Sequence, residues 1–239
     1  MDLGLCSSRE RAKRAVMAGR VTVNDQVAAK PGNVVGLRDR IAISEGESFV
    51  SRGGFKLEHA LNHFHLSVAE QTIVDLGAST GGFTDCVLQR GSARVFAVDV
   101  GHGQLAWKLR HDPRVVVMER TNARHLTPDK MPALFTPADL VVIDCSFISL
   151  RKILPAAVAL VRPSGRILAL VKPQFEAGKR EADRGNGVIR DPAIHTRVLE
   201  EMRACATQAS QLKWLGVTES PLLGPAGNKE FFVLLEKAS

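Results

Sequence analysis

The chain reads as an α/β protein, a doubly wound sheet of seven strands preceded by a small α/β module. Three observations carry this. From Phe55 onward, strand-length apolar runs alternate with helical patterns. The first run ends in a glycine-rich turn, Asp75-Leu76-Gly77-Ala78-Ser79-Thr80-Gly81-Gly82, which leads into a helix. The last two runs, Lys213–Glu219 and Phe231–Leu235, have no helix between them and read as an antiparallel pair.

Residues 1–45 differ in pattern from the rest. Ser7-Ser8-Arg9-Glu10 is a capping box, Ser followed three residues later by Glu. The helix it opens runs to about Ala18 and stops at Gly19. Ala12, Ala15 and Val16 form its apolar stripe, and Arg9 and Lys13 share another face with Arg11 and Arg14 beside them. Arg20-Val21-Thr22-Val23 then alternates, Asn24-Asp25 turns, and Val27 resumes, which makes a hairpin. Val34-Val35 and Ile41-Ala42-Ile43 are expected to close a small sheet. Residues 46–54 read as a short polar linker, and residues 55–239 as the main domain.

In that domain the strands fall near Ile73–Leu76, Val95–Val98, Val115–Met118, Leu140–Ile143, Ile167–Val171 and the two C-terminal runs. Helices fall near Lys56–Phe64, Phe83–Gln89, Gln104–Arg110, Leu150–Leu160 and Pro192–Ser210. Asp191-Pro192 caps the last of these, with Pro at its first position. Seven strands ending in an antiparallel hairpin match the methyltransferase variant of the Rossmann-like fold.

The glycine turn and a carboxylate at the tip of the second strand, Asp99, point to a nucleoside-containing cofactor. The spacing G-x-x-x-G-G departs from the dinucleotide pattern G-x-G-x-x-G. Asp75 before the turn would repel a pyrophosphate, but it suits an amine. S-adenosylmethionine is therefore preferred over a nicotinamide cofactor. Asp75 would take the amine directly or through water, Asp99 the ribose, and the amides of the turn from Gly77 through Ala78, Ser79, Thr80, Gly81, Gly82, Phe83 and Thr84 the carboxylate.

A formal net charge of +7 favours an anionic partner, with nucleic acid the commonest. Tyr is absent and aromatics are 5%, so backbone charge contacts must dominate over an array of stacking rings. Four scattered cysteines carry no zinc spacing, so no metal is expected, and the compartment reads as a reducing cytoplasm. The apolar runs are too short to cross a bilayer, so no membrane insertion is expected. Lys179, Arg180 and Arg184 lie in a long connection after the fifth strand and read as a substrate-gripping flap.

Four residues are placed to reach the crevice at the strand ends: Lys56, Asp144, Lys172 and Glu230. Two lysines and two carboxylates suit methylation of a ribose hydroxyl, a poor nucleophile. A lysine can orient the oxygen as an ammonium or act as a base, while the carboxylates hold it. The plain alternative is a structural ion-pair network at the sheet edge. Cys145, Trp107 and Trp214 are read as packing or pocket wall, and His59 and His63 as a surface pair.

Two resemblances sharpen this reading. Arg11–Asn24, a basic helix followed by a hairpin, resembles the S-four-like (alpha-L) RNA-binding module of ribosomal proteins, pseudouridine synthases and tRNA synthetases. It implies RNA contacts from Arg9, Arg11, Lys13, Arg14 and Arg20. Because the chain opens Met1-Asp2-Leu3-Gly4-Leu5, most of that module's usual first helix is expected to be missing. The whole chain resembles the TlyA family of rRNA 2′-O-methyltransferases, also called hemolysin A, whose catalytic domain is FtsJ-like. The matching blocks are SRGGFKL (51–57), DLGASTGGFT (75–84), DVGHGQ (99–104), ERTNAR (119–124), DCSFISL (144–150), VKPQFE (171–176) and NKEF (228–231). The resemblance implies a K-D-K-E catalytic tetrad at Lys56, Asp144, Lys172 and Glu230. It also implies cofactor contacts from the Gly77–Thr84 turn, Asp99 and the Asn122 segment, and cytidine ribose in ribosomal RNA as the target. The competing readings are a non-catalytic RNA- or ribosome-binding protein and, more remotely, a membrane-active hemolysin.

Overall fold

The computed structural model describes residues 3–6, 8–17, 21–24, 26–28, 31–32, 34–36, 38–43, 49–178, 181, 183, 185–209 and 212–239. The side chains of residues 11, 14, 17, 27 and 209 fall outside that description. So do Arg20, Lys179, Arg180 and Arg184 entirely, which leaves most of the expected RNA contacts and the basic part of the flap beyond structural comment.

The N-terminal module holds helix α1 (Arg9–Met17) and strands β1 (Val21–Val23), β2 (Gln26–Val27) and β3 (Ile41–Ile43). The three strands pair antiparallel in the order β2-β1-β3. Asn24 turns the hairpin at φ 51°, a conformation that Asn tolerates. Its side chain bridges to Asp39 at 2.9 Å and accepts from the Arg40 amide at 3.0 Å, which fixes the approach of β3. Val34 and Val35 are exposed and form no strand, so only Ile41–Ile43 closes the small sheet as expected. Arg9 and Lys13 are both exposed on α1, and Ala15 is buried.

The main domain follows the expected order closely. Its strands are β4 (Thr72–Leu76), β5 (Arg94–Val98), β6 (Val115–Met118), β7 (Ala138–Ile143), β8 (Val161–Val171), β9 (Leu212–Glu219) and β10 (Phe231–Lys237). They form one sheet in the order β6-β5-β4-β7-β8-β10-β9. All pairs are parallel except those of β10, which runs antiparallel to both β8 and β9. Helices α2 (Gly53–His63), α3 (Gly82–Gln89), α4 (Trp107–Arg110), α5 (Leu154–Leu160), α6 (Pro173–Glu176) and α7 (Pro192–Ala209) connect or flank them.

Alternate residues of each inner strand feed two cores, as a sheet covered on both faces requires. Val74, Val141 and Ile167 face α5 and α7, whereas Ile73, Val142 and Leu168 face α2 and α3. The sheet domain also begins earlier than the expected linker allows. Phe49 is buried, its ring stands 5.0 Å from Phe55, and the Val50 amide donates to Asp85 at 2.7 Å. A Cβ on Gly54 would lie 2.1 Å from the Phe49 ring, so this glycine is required by close packing. The helix expected over Gln104–Arg110 shrinks to the single turn of α4, and the one expected from Leu150 begins as a 3-10 turn, Leu150–Lys152.

Candidate active site

In a doubly wound sheet the ligand crevice opens where the strand order reverses, here between β4 and β7. The chain leaves β4 at Leu76 and enters the glycine turn. Gly77 and Gly81 take φ of 91° and 96°, and Ser79 takes 49°. A Cβ on Gly77 would stand 2.8 Å from the Asp144 carbonyl oxygen, and one on Gly81 2.2 Å from Leu109. The turn is thus pressed between the end of β7 and the α4 segment.

Asp99 sits at the tip of β5. Its carboxylate accepts from the Ser79 amide at 2.8 Å and the Gly101 amide at 2.7 Å, and lines a cavity of about 450 Å³ together with Gly77, Gln104, Asn122 and Asp144. Val98, Val100 and Ile153 give this cavity an apolar wall. Asn122 caps the turn that follows by accepting from the Arg124 amide at 3.0 Å. Glu119, which the sequence reading had only as part of a block, ties the 99–104 loop down. It accepts from Arg110, from the Gly103 amide at 2.9 Å, and meets His102 at 3.0 Å. The Arg110 hydrogen bond is the main reason its carboxyl is pulled down to about 2.

Asp75 behaves differently from the expectation. It is fully buried beneath α3, accepts from the Thr84 hydroxyl at 2.7 Å, and is absent from the cavity lining. Burial pushes its carboxyl up to about 7, against the pull of Thr84. Its Oδ1 has no hydrogen-bond partner among the described residues. Direct contact between Asp75 and a ligand in the cavity is therefore not supported by its position. The turn amides differ too: those of Gly77 and Ala78 already donate to Val98, Ser79 to Asp99, and Gly81 to Ala78. Even so, the set fits S-adenosylmethionine: a carboxylate for the ribose, an apolar slot for the adenine, and an unsatisfied buried acceptor on the amine side.

A second cavity, about 350 Å³, adjoins the first and shares Gly77, Ser79, Asp144 and Ser146 with it. All four tetrad residues line it. Lys56 comes from the first turns of α2, Asp144 follows β7, and Lys172 follows β8. Glu230 arrives because β10 is antiparallel: its first residue, Phe231, pairs with Val171, the last of β8. Lys172 Nζ lies 2.7 Å from Asp144 Oδ1 and donates to Ser146 Oγ at 2.8 Å. Lys56 Nζ lies 2.5 Å from Glu230 Oε2. The tetrad is therefore two pairs, and Glu230 holds Lys56 where the sequence reading had it holding Lys172. Both lysines and Glu230 are at most 8% exposed. Buried ionisable side chains of this kind persist when each has a partner.

Ser146 carried no role in the sequence reading, and nothing in its apolar neighbourhood signals one. Phe147 beside it is 91% exposed at φ 63°, with its ring 5.4 Å from Phe175. A bulky side chain in the left-handed region is strained, and such strain gathers at functional sites. Cys145 is no nucleophile, since burial, helped by Asp144, pushes its thiol up to about 12. Trp107 is 74% exposed, with its ring tilted against His111, and lines neither cavity, so it is neither core nor pocket wall. Trp214 does pack against the core, and His59 meets Thr218 at 3.4 Å.

A nucleoside cradle joined to a buried Lys/carboxylate chamber, at the switch point of a 3-2-1-4-5-7-6 sheet, defines an S-adenosylmethionine-dependent methyltransferase. Comparison with known proteins agrees. The FtsJ-like methyltransferase model matches residues 49–237, and the S4 domain model residues 2–41. The chain is 47% identical to the 16S/23S rRNA (cytidine-2′-O)-methyltransferase TlyA of Mycobacterium tuberculosis over 97% of its length and 85% of that protein's. It is 37% identical to Hemolysin A of Brachyspira hyodysenteriae over 95% of its length and 93% of that protein's. The solved structure of a candidate hemolysin from Streptococcus thermophilus superposes with a TM-score of 0.78 at 44% identity, over 100% of this chain and 86% of that one. The chain belongs to the FtsJ-like methyltransferase family, in its TlyA branch, and carries an S4 domain ahead of the catalytic one.

Proposed function

We propose that this enzyme methylates the 2′-hydroxyl of cytidine in ribosomal RNA, with assembled ribosomal subunits in the cytoplasm as its substrates. One observation carries the reading: the paired lysines and carboxylates line a chamber that shares its wall with the cofactor cavity. The TlyA relative's activity supplies the nucleotide and the RNA class. Bound S-adenosylmethionine supplies an electrophilic methyl group.

The protein's own part is to present the oxygen in line with that methyl and to receive its proton. Lys172 Nζ has two polar neighbours, Asp144 and Ser146. A neutral amine that donates one N–H to Ser146 and faces Asp144 keeps its lone pair for the ribose hydroxyl. The hydroxyl proton passes to Nζ as the oxygen's bond to the methyl carbon forms and the carbon–sulfur bond breaks, with S-adenosylhomocysteine as the leaving group, and the resulting ammonium is stabilised by Asp144. Lys56, held by Glu230, adds positive charge beside the developing oxyanion. Phe147 offers an exposed ring at the mouth for the target base to lie against. The N-terminal module, residues 1–45, adds backbone contacts to the RNA through its basic helix.

The test is ribose-methylation mapping of rRNA from cells with and without this gene, together with methyl transfer by pure protein onto isolated subunits and onto naked rRNA. A cytidine 2′-O-methyl group that depends on the gene is the expected result. Unchanged rRNA and no transfer in vitro would overturn the assignment and favour the non-catalytic reading.

A further inference from the structure

The tetrad's geometry depends on two loops that belong to different strands. Asp144, Ser146 and Phe147 lie on the loop after β7, and Lys172 on the turn between β8 and α6. The ladder between β7 and β8 ends at Ile143 and Ala169, so it does not join the segment from Ser146 onward to the Lys172 turn. Besides Lys172 itself and the Phe147–Phe175 ring contact, one buried carboxylate crosses the gap. Glu176, at the end of α6, has a side chain only 2% exposed. Its Oε2 accepts from the Ser149 hydroxyl at 2.7 Å and its Oε1 from the Leu150 amide at 2.6 Å. Phe175, beside it, touches the Phe147 ring.

The same carboxylate starts a chain of charges that runs outward. Arg151 Nε lies 3.8 Å from Glu176, and its Nη2 reaches Glu201 of α7 at 2.8 Å. Glu201 meets Arg197 at 2.8 Å, Arg197 meets Glu181 at 2.6 Å, and Glu181 accepts from the Gly178 amide at 3.1 Å. The start of the connection after α6 is thereby tied to the same clamp.

We propose that Glu176 is a positioning residue for methyl transfer: it clasps the β7 loop to the Lys172 turn, so that Asp144 and Ser146 meet the lysine and Phe147 is set at the mouth. It lines neither cavity, so its effect is transmitted through Lys172, Asp144 and Ser146. A displacement of about 1 Å at a reacting group costs up to ~100-fold in rate. The Asp144 amide is held by Leu76, but without the clasp the segment beyond it, from Ser146 to Leu150, is free to shift against the Lys172 turn.

The inference rests on the methyltransferase reading above, and the test keeps the two apart. Wild-type protein must first transfer methyl to rRNA; if it does not, that reading fails. With an active wild type, three variants are compared: Glu176→Ala, Glu176→Gln and Ser149→Ala. Each is measured by thermal melt, by calorimetry with S-adenosylmethionine, by hydrogen exchange over residues 146–150, and by single-turnover transfer. Glu176→Ala is expected to bind cofactor within about twofold of wild type, to speed amide exchange at Leu150 at least tenfold, and to slow transfer about 10–100-fold. Glu176→Gln, which still accepts from Leu150 and can donate to Ser149, should restore most of the rate. Ser149→Ala removes one of the two bonds and should fall between, which keeps the test decisive if Glu176→Ala does not fold. In a Ser146→Ala background, Glu176→Ala should add little further loss, because both act on the same lysine. Normal transfer per folded molecule in Glu176→Ala or Ser149→Ala, or losses that simply multiply in the double variant, would overturn the proposal.

Discussion

Lys172 is the side chain whose removal separates chemistry from folding. It is buried between Asp144 and Ser146, and the chain around it is fixed by Pro173. Lys172→Ala is expected to fold and to bind cofactor, yet to lose turnover by at least ~100-fold. Lys172→Arg should fail as well, since a planar guanidinium has no lone pair to offer the hydroxyl. Single-turnover transfer read beside a melt of the same sample decides it; a lower melting temperature with normal activity per folded molecule would mark the lysine as purely structural. Asp75 makes a different prediction. Burial raises its carboxyl from 3.8 to about 7, so across that window the folded state holds a proton that the unfolded state has released. Its contribution to stability is full below the unfolded value and is lost as pH rises through about 7. Asp75→Asn keeps an acceptor for Thr84 and removes the slope. Without cofactor it should melt above the wild type at pH 8, by an upper bound of about 4 kcal/mol, and the gap should close toward pH 4. A gap that stays constant across this range would refute the linkage.

At the scale of elements, the glycine turn is the least substitutable piece. Gly77 combines φ 91° with contact to the Asp144 backbone, so Gly77→Ala should destabilise by about 1–3 kcal/mol and weaken cofactor binding together, as melts and calorimetry will read. Helix α1 makes the opposite kind of prediction. Replacing the exposed Arg9 and Lys13 should weaken RNA binding at every sequence and flatten its salt dependence by roughly 0.9 per lost phosphate contact, with cofactor affinity unchanged. Normal RNA binding by that variant would make the helix a solvated face. These elements also show what the sequence discloses. Strand ends were legible because an apolar run that stops at a charge, as at Ile143-Asp144 or Val171-Lys172, marks both a boundary and a crevice. The pairing inside the tetrad was not legible. Glu230 pairs with Lys56 because of where α2 begins, and Lys172 finds Ser146 because two loops meet, and neither fact has a periodicity. Residues 46–54 read as a short linker because the run is polar and holds three glycines, whereas Phe49 packs on Gly54. Trp107 was read as packing or pocket wall, but α4 is one turn long and hides only Leu109.

For the whole molecule, the adjoining cavities matter more than either alone. Gly77 and Asp144 form part of the wall of both. The Asp144 amide donates to Leu76 at 3.0 Å, so that wall is anchored to the ladder at the sheet's reversal point and cannot drift with the outer loops. A shared, rigid partition has a pharmacological consequence. A single molecule that carries an adenosine group and a cytidine ribose, joined by a linker one or two atoms long, should occupy both chambers at once. Its second half would then bind at the millimolar effective concentration of a short tether, so its affinity should exceed that of either half by 100-fold or more. Competition titrations against adenosine and cytidine alone provide the measure, and Asp144→Ala should erase most of the advantage of joining them.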